Sequence, residues 1–448
     1  MKIAMITAGG AGMFCGSCMQ DNTLVRALRL GGADAMLIPT YTPIRVDEEN
    51  QSSDRVFLGG LNVYLGSMLP GWNKLPKAMT RWLDRPGLIQ LLSRMSGSTD
   101  ASKLGALTVD LLRGTDGPQR TAIDELIQYL CHDFRPDIII FSNALLSGIV
   151  PSLRKRFQGS ILTLLQGDDI FLEALPDRYR RQCIDLVSSN SQHFDGVLSH
   201  SEYYAGYMSR SLNIPASKFR RIPLTIDTEA GIDLEAGAAD DPLTRNSSGP
   251  SLKSDAPRFT IGYFARICPE KGVDRLLDAA GKVLPQHPDV RVTIAGYLPA
   301  QHRTWFLDRL KAAQQRVSSS QIQWQGSPAD RQEKFGFLQS LDLLCVPTRY
   351  REPKGLYVLE AALVGVPSLL PDHGAFPELV HELGGGSLFR ANDDQHLAEM
   401  LSQLCEANSE RTLQPSHLAN QLRNSVKARH SLEATAPQLM SVLSEFCR

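Results

Sequence analysis

The sharpest chemical signal in this sequence is a set of two cations and two carboxylates. Arg266 and Lys271 follow an apolar run, Phe259 to Phe264, and so stand at a strand end of the kind where α/β proteins hold ligands. Arginine offers a planar two-pronged donor and lysine a point charge. Together they suit a diphosphate and can neutralise charge that develops on a nucleoside-diphosphate leaving group. Farther along, Arg351-Glu352-Pro353-Lys354-Gly355-Leu356-Tyr357-Val358-Leu359-Glu360 places Glu352 and Glu360 on either side of a loop-to-helix junction. Pro353 and Gly355 mark the loop. A helix starting near Gly355 presents free N-terminal amides to phosphate oxygens. Carboxylates do not contact phosphate usefully, but they accept hydrogen bonds from hydroxyls, so one Glu on each side of a diphosphate suits ribose at one end and a sugar at the other. Each of the four residues alone would read as a solvated surface charge; their convergence is what describes a nucleotide-sugar.

Further candidates lie nearer the N-terminus. The loop Gly9-Gly10-Ala11-Gly12-Met13-Phe14-Cys15-Gly16 follows an apolar run and opens a helical pattern, so its backbone amides can approach a phosphate or a sugar closely; the plainer reading is a tight strand-to-helix turn. A dinucleotide fingerprint from Gly10 would need a small residue where Cys15 stands, and an acidic residue after the second strand, where Thr40-Tyr41-Thr42 is found. NAD is therefore disfavoured. Cys15 and Cys18 at a helix N-terminus could serve redox chemistry, but packing or substrate contact is the better expectation. His200, Ser201 and Glu202 lack the Gly-x-Ser-x-Gly elbow of a hydrolase, and an interdomain contact is expected instead.

These residues need a large scaffold. The 448 residues exceed what one hydrophobic core supports, which predicts two domains. With 42% hydrophobic and 21% charged residues the composition is that of a globular protein. Forty-seven basic against 48 acidic side chains leave no global field, so nucleic acid is not expected as a partner. The apolar stretch Ile138 to Leu153 is too short and too polar to span a membrane. The first residues read as a strand rather than a signal peptide. Eight cysteines form no disulfide framework or zinc ribbon, which fits a reducing cytoplasm.

Short apolar runs alternating with amphipathic segments predict βα units around parallel sheets. In the first half the runs are Ile3 to Ala8, Ala35 to Pro39, Asp137 to Phe141, Ser160 to Leu165 and Gly196 to Ser199. The stretch 228–257, rich in Ala, Asp, Ser, Gly and Pro, reads as a linker or disordered loop between an N-terminal domain, 1–227, and a C-terminal domain, 258–425. The second series runs through Phe259 to Phe264, Arg291 to Ala295, Ile322 to Gln325, Leu341 to Val346 and Pro367 to Leu370. A helical insertion at about 68–112, with Trp72, Trp82, Lys74, Lys77, Arg81, Arg85 and Arg94, suits peripheral contact with an anionic inner membrane face, acceptor binding or a packed and solvated surface. Residues 426–448 are expected to form one closing helix.

At this point the chain resembles the family 4 glycosyltransferases of GT-B architecture. That family pairs a strand-Arg-x-x-Pro-Glu-Lys-Gly segment with Glu-x7-Glu followed by Gly-x-Pro, as in Arg266, Lys271, Glu352, Glu360, Gly365 and Pro367 here; His373-Gly374-Ala375-Phe376-Pro377-Glu378 is similar to its Gly-x-x-Pro-Glu loop near the donor. The resemblance implies two Rossmann-like domains whose parallel sheets face across a cleft, with the acceptor in the first and the donor in the second. It implies transfer of a hexose with retention and without metal, from a UDP- or GDP-linked donor to a glycan, lipid or small-molecule hydroxyl. By it, Arg266 and Lys271 would bind the diphosphate, Glu360 the ribose and Glu352 the transferred sugar. Gly355 and Leu356 would supply amides, while Lys354, Gly374, Gly10 and Gly12 would line the donor site. Two departures stand out: Gln166 occupies a usual histidine position and cannot shuttle protons, and Lys354 replaces an aromatic residue. They leave open the donor sugar and a weakened, nucleotide-sugar-binding role; a sugar-phosphate or NAD-linked enzyme on a similar fold is the other alternative.

Overall fold

The computed structural model describes residues 1–9, 15–53, 56–57, 101–229, 259–318, 320–409 and 415–447, without the side chains of 101–103, 409 and 415. It divides into two compact units, Met1–Ile226 with Ser431–Arg448, and Asp227–His430.

The first unit is built on six parallel strands, β1 (Lys2–Thr7), β2 (Asp34–Pro39), β3 (Ile138–Phe141), β4 (Ser160–Leu165), β5 (Gly196–Ser199) and β6 (Phe219–Arg221), in the order β2-β1-β3-β4-β5-β6. Helices cover both faces, which is why β3 reads Ile-Ile-Ile-Phe instead of alternating with polar residues. The two-residue period of a strand still sorts the side chains. Ile3 and Met5 pack into one apolar core with Val25 and Leu28 of the Gly16–Leu30 helix, whereas Ala4 and Ile6 enter a second with Leu126 and Leu130.

The second unit repeats the plan with β7 (Phe259–Phe264), β8 (Val290–Ala295), β9 (Ile322–Trp324), β10 (Leu343–Cys345), β11 (Ser368–Pro371) and β12 (Ser387–Phe389), in the order β12-β11-β10-β7-β8-β9. The order reverses direction between β7 and β10, and in doubly wound sheets the crevice outside the carboxyl ends of such a strand pair is where ligands bind. In the first sheet the corresponding reversal lies between β1 and β3.

Two strands escape the hydrophobic pattern, β6 and β12. Both are three-residue strands at the edge of a sheet, where brevity and charge such as Arg220 and Arg221 are ordinary. The expected single closing helix over 426–448 is corrected: Pro415–His430 and Leu432–Ser444 are separate helices. The break falls at Ser431, whose hydroxyl accepts a hydrogen bond from Ala434 N and caps the second of them. That second helix belongs to the first unit, because Leu439 and Leu443 join its core against the Gly16–Leu30 helix. Of the insertion, Ala101–Leu112 is a helix packed on the Asp177–Ser191 helix. Residues 68–100, with the two tryptophans and the basic cluster, lie outside the described residues, as does nearly all of the 228–257 linker. Among the described residues no helix is long and apolar enough to cross a membrane.

Candidate functional site

Two loops meet at the carboxyl ends of β7 and β10. The first leaves β7 through Arg266 and forms a short turn, Pro269–Lys271, before the Val273–Val283 helix. The second leaves β10 and runs through Arg349 to Gly355 into the Leu356–Leu363 helix. They are clamped together: Arg349 N donates to Glu270 O at 2.8 Å, and the Arg349 guanidinium grips both oxygens of Asp274 at 2.7 Å each. A bidentate pair of this kind fixes orientation as well as distance.

The clamp delivers Lys271 to Glu352. Lys271 Nζ lies 2.6 Å from Glu352 Oε2 and 2.6 Å from the Tyr350 hydroxyl, which itself donates to Oε2 at 2.8 Å. The Tyr357 hydroxyl gives Oε2 a further bond at 3.0 Å. All three hydrogen bonds that described residues make to this carboxylate therefore land on Oε2. Burial by itself would lift the Glu352 carboxyl, but the Lys271 ammonium and the three donors outweigh it and hold it below the usual carboxylate range. Burial and the neighbouring Glu352 push both tyrosine hydroxyls well above theirs, so they remain donors. The ammonium also sits over both rings, 4.8 Å from the Tyr350 centroid and 4.9 Å from that of Tyr357.

Gly355 and Gly374 shape the backbone around Glu352. Gly355, at φ +70°, turns the chain into the helix, and no side chain among the described residues caps it, which leaves the Leu356 and Tyr357 N–H groups without a cap there. Gly374, at φ +66°, lies under the carboxylate loop, where a Cβ would meet Glu352 O at 2.6 Å; the next residue, Ala375, donates its N–H to that same oxygen at 2.8 Å. Lys354 is buried beside the junction. Arg266 is exposed at the mouth of the first loop and forms no ion pair among the described residues. One helical turn beyond Tyr357, Glu360 Oε1 takes the Lys334 ammonium at 2.8 Å.

The structure thus gathers Arg266, Lys271, Glu352, Lys354, Gly355, Leu356, Glu360 and Gly374 in one unit around the reversal between β7 and β10. Gln166 belongs to the other unit. It is buried at the end of β4, its Nε2 donating to Asp21 Oδ1 at 2.6 Å, while Asp21 Oδ2 accepts from Thr7 at 2.7 Å. Next to it, Tyr204 OH accepts from Gly167 N at 2.9 Å and donates to Asp169 at 2.6 Å. Burial raises Asp169 to about 6 against the opposing Tyr204 bond, and Asp168 adds to the rise. Gly10 and Gly12 lie outside the described residues. Cys15 and Cys18 are free thiols, and the hydrogen bond between them, burial and neighbouring charge hold Cys18 well above the ordinary thiol range, which opposes thiolate chemistry there. His200 Nδ1 lies 3.2 Å from Pro223 O, and Ser201 caps the Glu202–Ser211 helix through Tyr204 N.

Residues 245–422 match the model of the family described as glycosyl transferases group 1. The matched segment contains both clamped loops, the Lys271–Glu352 pair and Glu360. Over 228 residues, 51% of this chain, it is 28% identical to a lipopolysaccharide core biosynthesis mannosyltransferase, LpcC, of Rhizobium leguminosarum bv. viciae. Over 31% of its length it is 29% identical to the corresponding LpsB protein of Rhizobium meliloti. The matches span 61% and 38% of those relatives. Among solved structures, a sucrose-phosphate synthase from Thermosynechococcus elongatus superposes with a TM-score of 0.66 at 17% identity, covering 99% of this chain and 98% of that one. Anabaena Alr3699/HepE, solved with UDP and glucose, does so at 0.64 and 14%, covering 98% and 99%. At such identities the likeness speaks for fold, and it gives the chain the two-sheet GT-B fold. Sequence reasoning passed over Tyr350, Tyr357, Lys334, Asp21 and Tyr204. The two tyrosines flank Glu352 and Gly355 and were within reach of a local reading; the other three are linked to the motif residues only by folding.

Proposed function

We propose that the chain is a retaining glycosyltransferase that moves a hexose from a UDP- or GDP-linked donor to a hydroxyl acceptor on a glycan, lipid or small molecule. The observation that carries this is the Lys271–Glu352 pair, set where β7 and β10 diverge and beside the uncapped Leu356–Leu363 helix, within a segment matched to group 1 glycosyl transferases. In this reading Lys271, Arg266 and the Leu356 and Tyr357 amides receive the diphosphate, and supply the positive charge that a departing phosphate oxygen requires. Glu352 accepts hydrogen bonds from sugar hydroxyls through Oε1, while its Oε2 stays bound to Lys271, Tyr350 and Tyr357. Glu360 accepts from ribose. The bond from the anomeric carbon to the leaving diphosphate oxygen breaks, a bond from the acceptor oxygen forms on the same face, and the acceptor proton passes to the leaving phosphate. No protein nucleophile or metal enters this scheme. Mannosyltransferase names among the relatives, and UDP with glucose in a structure of the same fold, support the donor class.

Calorimetric titration with UDP-, GDP- and ADP-sugars and with NAD tests the reading, followed by transfer assays. Binding of a nucleotide-sugar with turnover that collapses in Glu352→Gln and Lys271→Ala supports it; unchanged turnover in both variants removes it. Donor binding with neither transfer nor slow donor hydrolysis would point to the weakened binding role that Gln166 allows.

A further inference from the structure

Lys334 lies outside every motif described above, yet its side chain is 6% exposed and its ammonium sits 2.8 Å from Glu360 Oε1, itself on a side chain 9% exposed. It projects from the Arg331–Gln339 helix, which enters β10, and Glu360 from the Leu356–Leu363 helix, which leaves the same strand region; the two helices pack on one another. The other buried residues of this helix are Arg331 and the apolar Phe335, Phe337 and Leu338, and the ammonium lies 5.2 Å from the Phe335 ring centroid. A buried ion pair is seldom more stabilising than an apolar pair of the same size, so stability is a poor reason for a charge here. Its effect is on the carboxylate. With Oε1 held from the inside, the plane of the Glu360 carboxylate is fixed, and Oε2 receives no hydrogen bond from any described residue.

We infer that Lys334 is a positioning residue that makes Glu360 a reader of the vicinal diol of ribose. This rests on the nucleotide-sugar reading above and deepens it. A diol needs two acceptor positions at a set angle: Oε2 takes one hydroxyl and the remaining lone pair of Oε1 takes the other, while the bond from Lys334 stops the group turning. A carboxylate free to rotate would still accept one hydroxyl and would lose the distinction between a diol and a single hydroxyl. Lys334 therefore sets selectivity for ribonucleotides over 2′-deoxyribonucleotides.

The test is calorimetric binding of UDP and GDP, each beside its 2′-deoxy counterpart, to the full chain and to Lys334→Met and Lys334→Arg. The full chain should prefer the ribonucleotide by about tenfold or more, as expected for a charge-assisted hydrogen bond, and Lys334→Met should bring the ratio close to one mainly by weakening the ribonucleotide. Lys334→Arg should restore much of the preference. If Lys334→Met does not fold, Lys334→Gln, which keeps a donor but no charge, is read by the same ratio. A full-chain preference that survives in the neutral variant overturns this inference and leaves the donor reading standing. Failure of the full chain to bind either ribonucleotide overturns both.

Discussion

The two units place polar clusters at equivalent points of their sheets, yet build them from opposite chemistry. In the second unit each carboxylate is matched to a lysine, Glu352 with Lys271 and Glu360 with Lys334. In the first, Asp169 takes its hydrogen bond from the neutral hydroxyl of Tyr204, and Gln166 and Thr7 are among the donors to Asp21. Glu352, with its own cation, is held low although buried, and the pair can share its charges with a ligand that carries both phosphate and hydroxyls. A carboxylate held by neutral donors keeps its desolvation penalty, which is why Asp169 rises to about 6 and Glu352 falls. The lesson is that burial alone does not decide the protonation of an acid; the nearest cation does.

The strongest way to break this contrast is to remove a cation. Lys271→Ala is expected to lower kcat/KM by about 10²–10³, the range for losing one preorganised charge at a transition state, with the far-ultraviolet circular dichroism unchanged. Glu352→Gln should act similarly, since it strips Lys271 of its counter-charge. Next comes Gly374→Ala. Its Cβ would stand 2.6 Å from Glu352 O at a φ of +66°, so the carboxylate loop must shift; we expect a loss of about 2 kcal/mol in stability by denaturant titration and a larger proportional loss of activity.

The first unit sharpens the comparison through pH. An acid whose folded pKa is raised binds more protons folded than unfolded, so its burial costs stability as pH rises from about 4 to about 6. Asp169→Asn should therefore flatten a decline of about 2 kcal/mol over that window, measured by thermal or urea unfolding at stepped pH. Glu352, held low, works in the opposite sense: its contribution is present above the ordinary carboxylate range and is lost on acidification through its lowered value. The smallest effect expected is that of Asp21→Asn, which still can hold the Gln166 amide after reorienting and should change turnover by only about threefold.

Much of this was readable locally. Parallel strands buried on both faces betray themselves as unbroken apolar runs, and β7 was found to the residue for that reason. The glycine, proline and acidic spacing around Gly355 marked a helix start because few residue types tolerate that turn. What escaped was polar or short. Lys334 looks like any surface lysine in a helix, the edge strands β6 and β12 carry too few apolar residues to register, and Ser431 is one hydroxyl in a long helical pattern.

The sequence by itself determined the two series of βα units and the local shapes of the loops that end in Lys271 and Glu352, since period and turn chemistry act over a few residues. Only the tertiary structure decided which charges became partners. Lys271 and Glu352 are 81 positions apart and Lys334 and Glu360 are 26, and each pair exists because the sheet order brings β7 beside β10 and sets a helix on each side of it. Hydrogen bonds of that span depend on strand order and packing, which no local pattern of side chains encodes.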